Sequence, residues 1–392
     1  MIRSNKPWRA VAAFAAVGLV LTGCGSTDDT DTDNEGDSGG GGGDGGAACD
    51  KQLAFFGALT GPAAGLGQQI LLGVELAVDE YNTENADCQV VLEQIDSQGN
   101  PDQAPSLATE AAGNENLLGV IGPAFSGESA AAGPIFSEGG LPTITPSATN
   151  PTLADNDWDT FHRILGNDAT QGPAAATYIS DTIGSSSVFV MDDASEYGAG
   201  LAEIVADQLG DSVIDTDTIQ AGQTDFAASV TKIKSSGADT LFFGGYYAEA
   251  ALIISQLRDG GWEGTFVVAD GVKDPGYLEG AGDAAEGTII TCPCIPAEDP
   301  AVQEFGTNFA DANNGEAPGT YSAEAYDAAN VFLSGLADGA ADRETMLEWV
   351  NGYDEAGVTK QVSFDDAGEV AEIHVYAYIV EGGEIVSDKE IE

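Results

Sequence analysis

Five short loops in this chain carry side chains suited to holding a small charged solute. Residues 122–127 read Gly-Pro-Ala-Phe-Ser-Gly and include Phe125 and Ser126; residues 146–149 read Pro-Ser-Ala-Thr and include Ser147, Ala148 and Thr149. Residues 192–197 end in Tyr197, residues 244–247 contain Tyr246, and residues 270–271 are Asp-Gly, with Asp270 the acid. Hydroxyls therefore fall in the first half of the chain, and aromatics with one acid in the second. Hydroxyl and backbone N–H groups donate to an anion, a carboxylate accepts from a cation, and aromatic faces enclose the space between. Taken singly, each residue has a plainer role: Ser126 as a helix cap, Tyr197 and Tyr246 as half-buried core aromatics. Their convergence on five loops favours a site for a zwitterion.

The loops share a position in the chain's pattern. Apolar, strand-like runs recur at residues 52–59, 89–95, 117–121, 141–145, 188–191, 213–219, 240–243 and 265–269. Helical faces lie between them, such as Ile70, Val74, Ala77, Val78 and Tyr81, or Phe226, Val230 and Ile233. Alternating strands and helices predict an α/β fold with parallel, doubly wound sheets. In such sheets ligands bind outside the carboxyl ends of the strands, which is where the five loops fall.

Catalytic alternatives are poorly supplied. Residues 127–131, Gly-Glu-Ser-Ala-Ala, lack the final glycine of a nucleophile elbow. Residues 65–70, Gly-Leu-Gly-Gln-Gln-Ile, lack the last glycine of a dinucleotide loop and the Lys-Ser/Thr of a P-loop. His162 sits in Phe-His-Arg-Ile, read as a crossover strand, and His374 alternates with apolar residues in a C-terminal strand; neither has metal-ligand spacing with the cysteines. The expectation is a binding protein with no cofactor and no metal.

The chain's formal charge of -53 makes nucleic acid and anionic lipid improbable partners for the folded body. At the N-terminus, Arg3, Lys6 and Arg9 flank an apolar run at residues 10–21, followed by Leu-Thr-Gly-Cys ending at Cys24. That is a secretory signal, too short to span a bilayer, with Cys24 placed for lipidation after cleavage. Residues 1–23 are expected to be removed, and residues 24–50, rich in Gly and Asp, to form a flexible lipidated linker on the outer face of the membrane. The remaining four cysteines allow three pairings. Cys49 with Cys88 is favoured because they precede two strands expected to be neighbours; Cys292-Pro293-Cys294 is left as a local disulfide or two thiols.

The order and spacing of several motifs carry a resemblance. These are Leu59-Thr60-Gly61-Pro62, Val120-Ile121-Gly122-Pro123, Ile144 through Pro151, Asp168 through Pro173, Tyr197-Gly198, Gly244-Gly245-Tyr246 and Ala325-Tyr326-Asp327-Ala328. From about Leu53 onward the sequence resembles the branched-chain amino acid binding proteins of ABC transporters, which have the type 1 periplasmic binding protein fold. That resemblance implies two lobes joined by a multi-strand hinge, residues 51–164 with 292–361 and residues 165–291 with 362–392. It implies a monomer that closes around a small amino acid, leucine, isoleucine or valine, and delivers it to a permease. It puts Ser126, Ser147 and Thr149 at the ligand's carboxylate, with the Ser147 carbonyl, Thr149 and Asp270 at its ammonium. Tyr197, Tyr246 and Tyr321 become aromatic walls. Two positions depart from a member of that family: Asp270 stands where that member carries Glu, and Leu66 where it carries Tyr. These departures keep amides, urea-like compounds and aromatic acids open as ligands, and a sensory role shares the same fold and site.

Overall fold

Each apolar run marked out by the sequence becomes a strand, and the strands sort into two sheets. A computed structural model describes residues 51–391, so the signal segment, Cys24, the linker and Cys49 lie outside the described residues. The first sheet holds β1 (Gln52–Gly57), β2 (Val91–Asp96), β3 (Leu117–Ile121), β4 (Thr143–Thr145) and β5 (Phe161–Arg163). All are parallel, in the order β2-β1-β3-β4-β5, and are connected through α1 (Ala64–Glu84), α2 (Ala104–Gly113) and α3 (Ser126–Glu138).

After α4 (Asp168–Thr177) the chain builds the second sheet from β6 (Val188–Asp192), β7 (Val213–Thr218), β8 (Thr240–Gly244), β9 (Thr265–Ala269) and β10 (Ile289–Cys292). The intervening helices are α5 (Glu196–Leu209), α6 (Ala227–Ser236), α7 (Tyr247–Asp259) and α8 (Pro275–Ala281). It then returns to the first layer with α9 (Gln303–Ala312), α10 (Ser322–Asp338) and α11 (Arg343–Asn351), and a small hairpin of β11 (Asp354–Ala356) and β12 (Gln361–Ser363) follows. Finally β13 (Tyr376–Glu381) and β14 (Glu384–Glu390) complete the second sheet, in the order β14-β13-β10-β9-β8-β6-β7.

That last pair is antiparallel, an addition to the parallel strands expected from the alternation. Two further readings change. Residues Phe161 to Arg163 form an edge strand of the first sheet, and the crossing begins after them. His374 lies before β13 in an irregular segment, because the ladder with β10 ends at the Cys292 and Tyr376 pair; its ring is partly exposed and contacts Glu390 at 2.6 Å and Glu372 at 3.0 Å. His162 is buried, with Nε2 2.8 Å from Asn351 Oδ1.

Why these strands are central follows from their composition. β3 and β8 are buried at all five positions, as strands covered on both faces must be, whereas the edge strand β7 alternates and leaves Ile214 exposed. The sheet orders also locate the site. In the first sheet the winding reverses at β1 and β3, in the second at β6 and β8. Crevices for ligands open at such reversals, beyond the carboxyl ends of the strands.

Cys292 and Cys294 are joined by a disulfide. Cys88 is also disulfide-bonded, and β1 and β2 are parallel neighbours, as the Cys49 pairing supposed; Cys49 itself lies outside the described residues.

Candidate functional site

The loops after β3 and β4 form a donor-lined shelf. Ser126 opens α3, a 13-residue helix whose free N–H groups and dipole favour an anion. Its Oγ accepts from the Asn150 N–H at 3.2 Å, while Ser147 Oγ donates to the Ala124 carbonyl at 2.7 Å. Arg163 holds this shelf from beneath. Fully buried, it forms a two-point ion pair with Glu369 and donates to the carbonyls of Ala148 at 3.0 Å and Asn150 at 2.8 Å. Inside the first turn of α3, Glu128 is fully buried and accepts from the Phe125 N–H at 3.1 Å; burial pushes its carboxyl up to about 8. A neutral acid there leaves the positive end of the helix uncancelled.

Facing the shelf is an acceptor centre at Asp270, which follows β9. Its Oδ1 accepts from Tyr197 Oη and from Gln171 Nε2, each at 2.8 Å, and its Oδ2 accepts from Tyr321 Oη at 2.8 Å. Burial raises the Asp270 carboxyl above the usual range, and these three donors oppose the rise. Gln171 also donates to the Thr291 carbonyl at 2.9 Å. Close by, Asp168 is fully buried, with no partner for its carboxylate oxygens beyond the neighbouring Thr149 hydroxyl. Burial first, then the charge of Asp270, holds its carboxyl well above the usual range, while Thr149 and Arg163 oppose that shift. Gln171 Oε1 is buried and unpartnered.

Aromatic rings close the remaining sides. Tyr246 packs on Tyr197 with ring centroids 5.2 Å apart and on Phe125 at 5.6 Å. Gly271 makes the packing possible: a Cβ there would fall 2.9 Å from the Tyr197 ring and 2.8 Å from the Gly245 carbonyl. Tyr321 reaches Asp270 because α1 and α10 touch. A Cβ at Gly73 would lie 2.0 Å from the Ser322 carbonyl, and Ser322 Oγ donates to the Gln69 carbonyl at 2.9 Å. Tyr321 itself takes a left-handed backbone, φ 67°, a conformation held only where its surroundings compel it.

Together these groups line a small recess, partly open to solvent, into which Leu66, Phe125, Ser126, Ser147, Tyr197, Tyr246, Asp270 and Tyr321 all face. Of the residues singled out in the sequence, Ala148 and Thr149 are the two behind its wall, buried beneath the shelf. Sequence reasoning missed Ile70, Ala124 and Gly271 in the wall, and Asp168, Gln171 and Arg163 behind it. A signal existed for two of them: Asp168 and Gln171 are three residues apart, so they share one face of α4, and they are polar in a helix otherwise rich in Ala.

The chain belongs to the periplasmic binding protein family, which it matches over residues 52–384. It is 31% identical to a Leu/Ile/Val-binding protein of Rhizobium johnstonii, over 87% of this chain and 94% of that one. Among solved structures it superposes, with TM-score 0.80 and 27% identity, on the branched-chain amino acid transporter substrate binding protein of Streptococcus pneumoniae in complex with isoleucine, over 86% of this chain and 99% of that one. A solute binding protein of an ABC transporter from R. palustris, in complex with benzoate, shares the fold at TM-score 0.78 and 19% identity, over 87% and 96%.

Proposed function

We propose that this protein captures a branched-chain amino acid outside the cytoplasm and hands it to an ABC permease, tethered meanwhile to the membrane by lipid on Cys24. The observation that carries the ligand reading is the opposition of two chemistries across one recess. Donors of Ser126 and the α3 N-terminus suit a carboxylate, while Asp270 suits an ammonium. Leu66, Ile70, Ala124 and Phe125 supply the apolar wall for an aliphatic side chain. A purely anionic solute such as an aromatic acid would leave the buried Asp270 carboxylate without a cation, which favours the amino acid over that alternative.

In this reading the two sheets are the cores of two lobes, residues 51–164 with 292–361 and residues 165–291 with 362–392, and the protein works as a monomer. Ligand first rests on the donor shelf, and contacts to Tyr197, Tyr246 and Asp270 then favour the closed arrangement, a shift of population with no chemical step. Closure is what the permease recognises.

The test is thermal stabilisation of the mature protein by amino acids, amides and small carboxylates. A ligand that binds only the native state raises stability with the logarithm of its concentration over its dissociation constant. Shifts with leucine, isoleucine or valine are expected; shifts only with solutes lacking an ammonium would overturn the amino acid reading.

A further inference from the structure

We propose that the Cys292–Cys294 disulfide is a positioning element of the ligand site, holding the Asp270 carboxylate in place through Thr291 and Gln171. The proposal rests on the reading of Asp270 as the ammonium acceptor. The disulfide spans a single residue, Pro293. Closing so short a loop removes little freedom from the unfolded chain, so general stabilisation is a weak reason for it. Both cysteines are buried, at 0% and 1% exposure, so a surface redox role is equally poor. What remains is local geometry, and the local geometry leads to the site.

Cys292 is the last residue of β10 and Thr291 the one before it. The Thr291 carbonyl accepts from Gln171 Nε2 at 2.9 Å, and the same nitrogen donates to Asp270 Oδ1 at 2.8 Å. One amide group is therefore shared between a backbone carbonyl beside the disulfide and the carboxylate at the centre of the site. The chain leaving β10 must turn sharply from the second sheet toward the first, and the turn is pinned on its far side by Tyr378, whose hydroxyl donates to the Cys294 carbonyl at 2.9 Å. It also packs against the other crossing, where a Cβ at Gly166 would lie 3.4 Å from Pro293 Cβ. Without the covalent ring this turn is free to relax, and the carbonyl that holds Gln171 moves with it.

The experiment compares the unchanged mature protein with a Cys292→Ala, Cys294→Ala variant, alanine being chosen because both sites are apolar. Each is titrated calorimetrically with leucine and with 4-methylpentanoate, which is leucine without its ammonium. Loss of general stability lowers both affinities alike, whereas misplacement of Asp270 lowers only the first. The expected result is a leucine dissociation constant raised roughly 10-fold or more, with 4-methylpentanoate changed less than about 2-fold. Parallel changes, or none, would overturn the proposal. A single Cys294→Ala variant, which also opens the ring, gives the same comparison should the double variant fold poorly. If the unchanged protein binds no ammonium-bearing solute, the functional reading fails by itself. A crystal structure of the variant then decides the positioning claim: a Gln171 to Asp270 contact kept at 2.8 Å defeats it, and a broken one supports it.

Discussion

The Tyr321 hydroxyl donates to Asp270 Oδ2 at 2.8 Å, joining the residue that caps α10 to the residue that follows β9. It is a contact between layers. α10 packs on α1 and the first sheet, while Asp270 extends from the second, so the bond exists only when the two are together. A second tie of this kind runs from Asn150 Nδ2 to the Glu196 carbonyl at 2.9 Å. Under the proposed function, ligand affinity is expected to depend on residues that bridge the layers as well as on those that touch the solute.

Tyr321→Phe isolates the first of these ties. The ring and its packing remain while one hydrogen bond to a carboxylate is lost, worth about 1.5–3 kcal/mol. Leucine should bind about 10- to 100-fold more weakly by calorimetry. An unaltered affinity would mean that Asp270 needs only Tyr197 and Gln171 to be held.

Asp270→Asn keeps the shape of the acceptor and removes its charge. An ammonium buried against an amide loses its charge-assisted partner, and the cost is that of an unpaired buried ion, so leucine affinity should fall by about 100-fold or more. Affinity for 4-methylpentanoate should hold or improve, because a negative charge has left the recess. Calorimetry on the pair separates the two cases, and equal losses for both ligands would remove Asp270 from the ammonium's side.

The strands, their alternation with helices and most of the recess wall were legible in the sequence because each depends on local pattern. Apolar runs set β3 and β8, and the loops that follow them carry Ser126 and Tyr246 to the same crevice by the topology of the sheets. Asp168 and Gln171 were harder to see. They stand at the start of a helix and not at the end of a strand, and only folding brings Gln171 against Asp270, 99 residues away. The β13–β14 hairpin was hidden for a related reason: its pairing with β10 joins residues far apart, and turn residues Gly382 and Gly383 alone do not fix a sheet's edge. Arg163 read as part of a crossing strand, and its work under the shelf emerges only from the carbonyls of Ala148 and Asn150.

Leu66→Ala probes the apolar wall. Leu66 is 4% exposed on α1, so truncation should cost about 2–4 kcal/mol in unfolding free energy, read by denaturant titration. The space left behind should also move preference toward bulkier side chains, with valine weakened more than leucine or phenylalanine. A uniform loss across these three ligands would place Leu66 in the scaffold and not in the pocket.

Glu128 makes stability depend on pH in a direction opposite to that of a salt-bridged acid. Its carboxyl titrates at about 8 in the folded protein against an ordinary value of 4.5, because burial disfavours the charged form. Between those values the folded chain holds a proton that the unfolded chain has released. Its contribution is therefore fully present below about 4.5 and is lost as pH rises to about 8, at up to about 1.4 kcal/mol per pH unit. Glu128→Gln keeps an acceptor for the Phe125 N–H and abolishes the titration, so its unfolding free energy should fall less steeply across this window than that of the unchanged protein. Binding should follow the same logic. Above about 8 the ionised carboxylate opposes the anion-binding end of α3, so leucine affinity should weaken there in the unchanged protein and stay level in the variant. Identical pH profiles for the two proteins, in denaturation and in binding, would show that Glu128 is ionised in the native state and that the helix end is already screened.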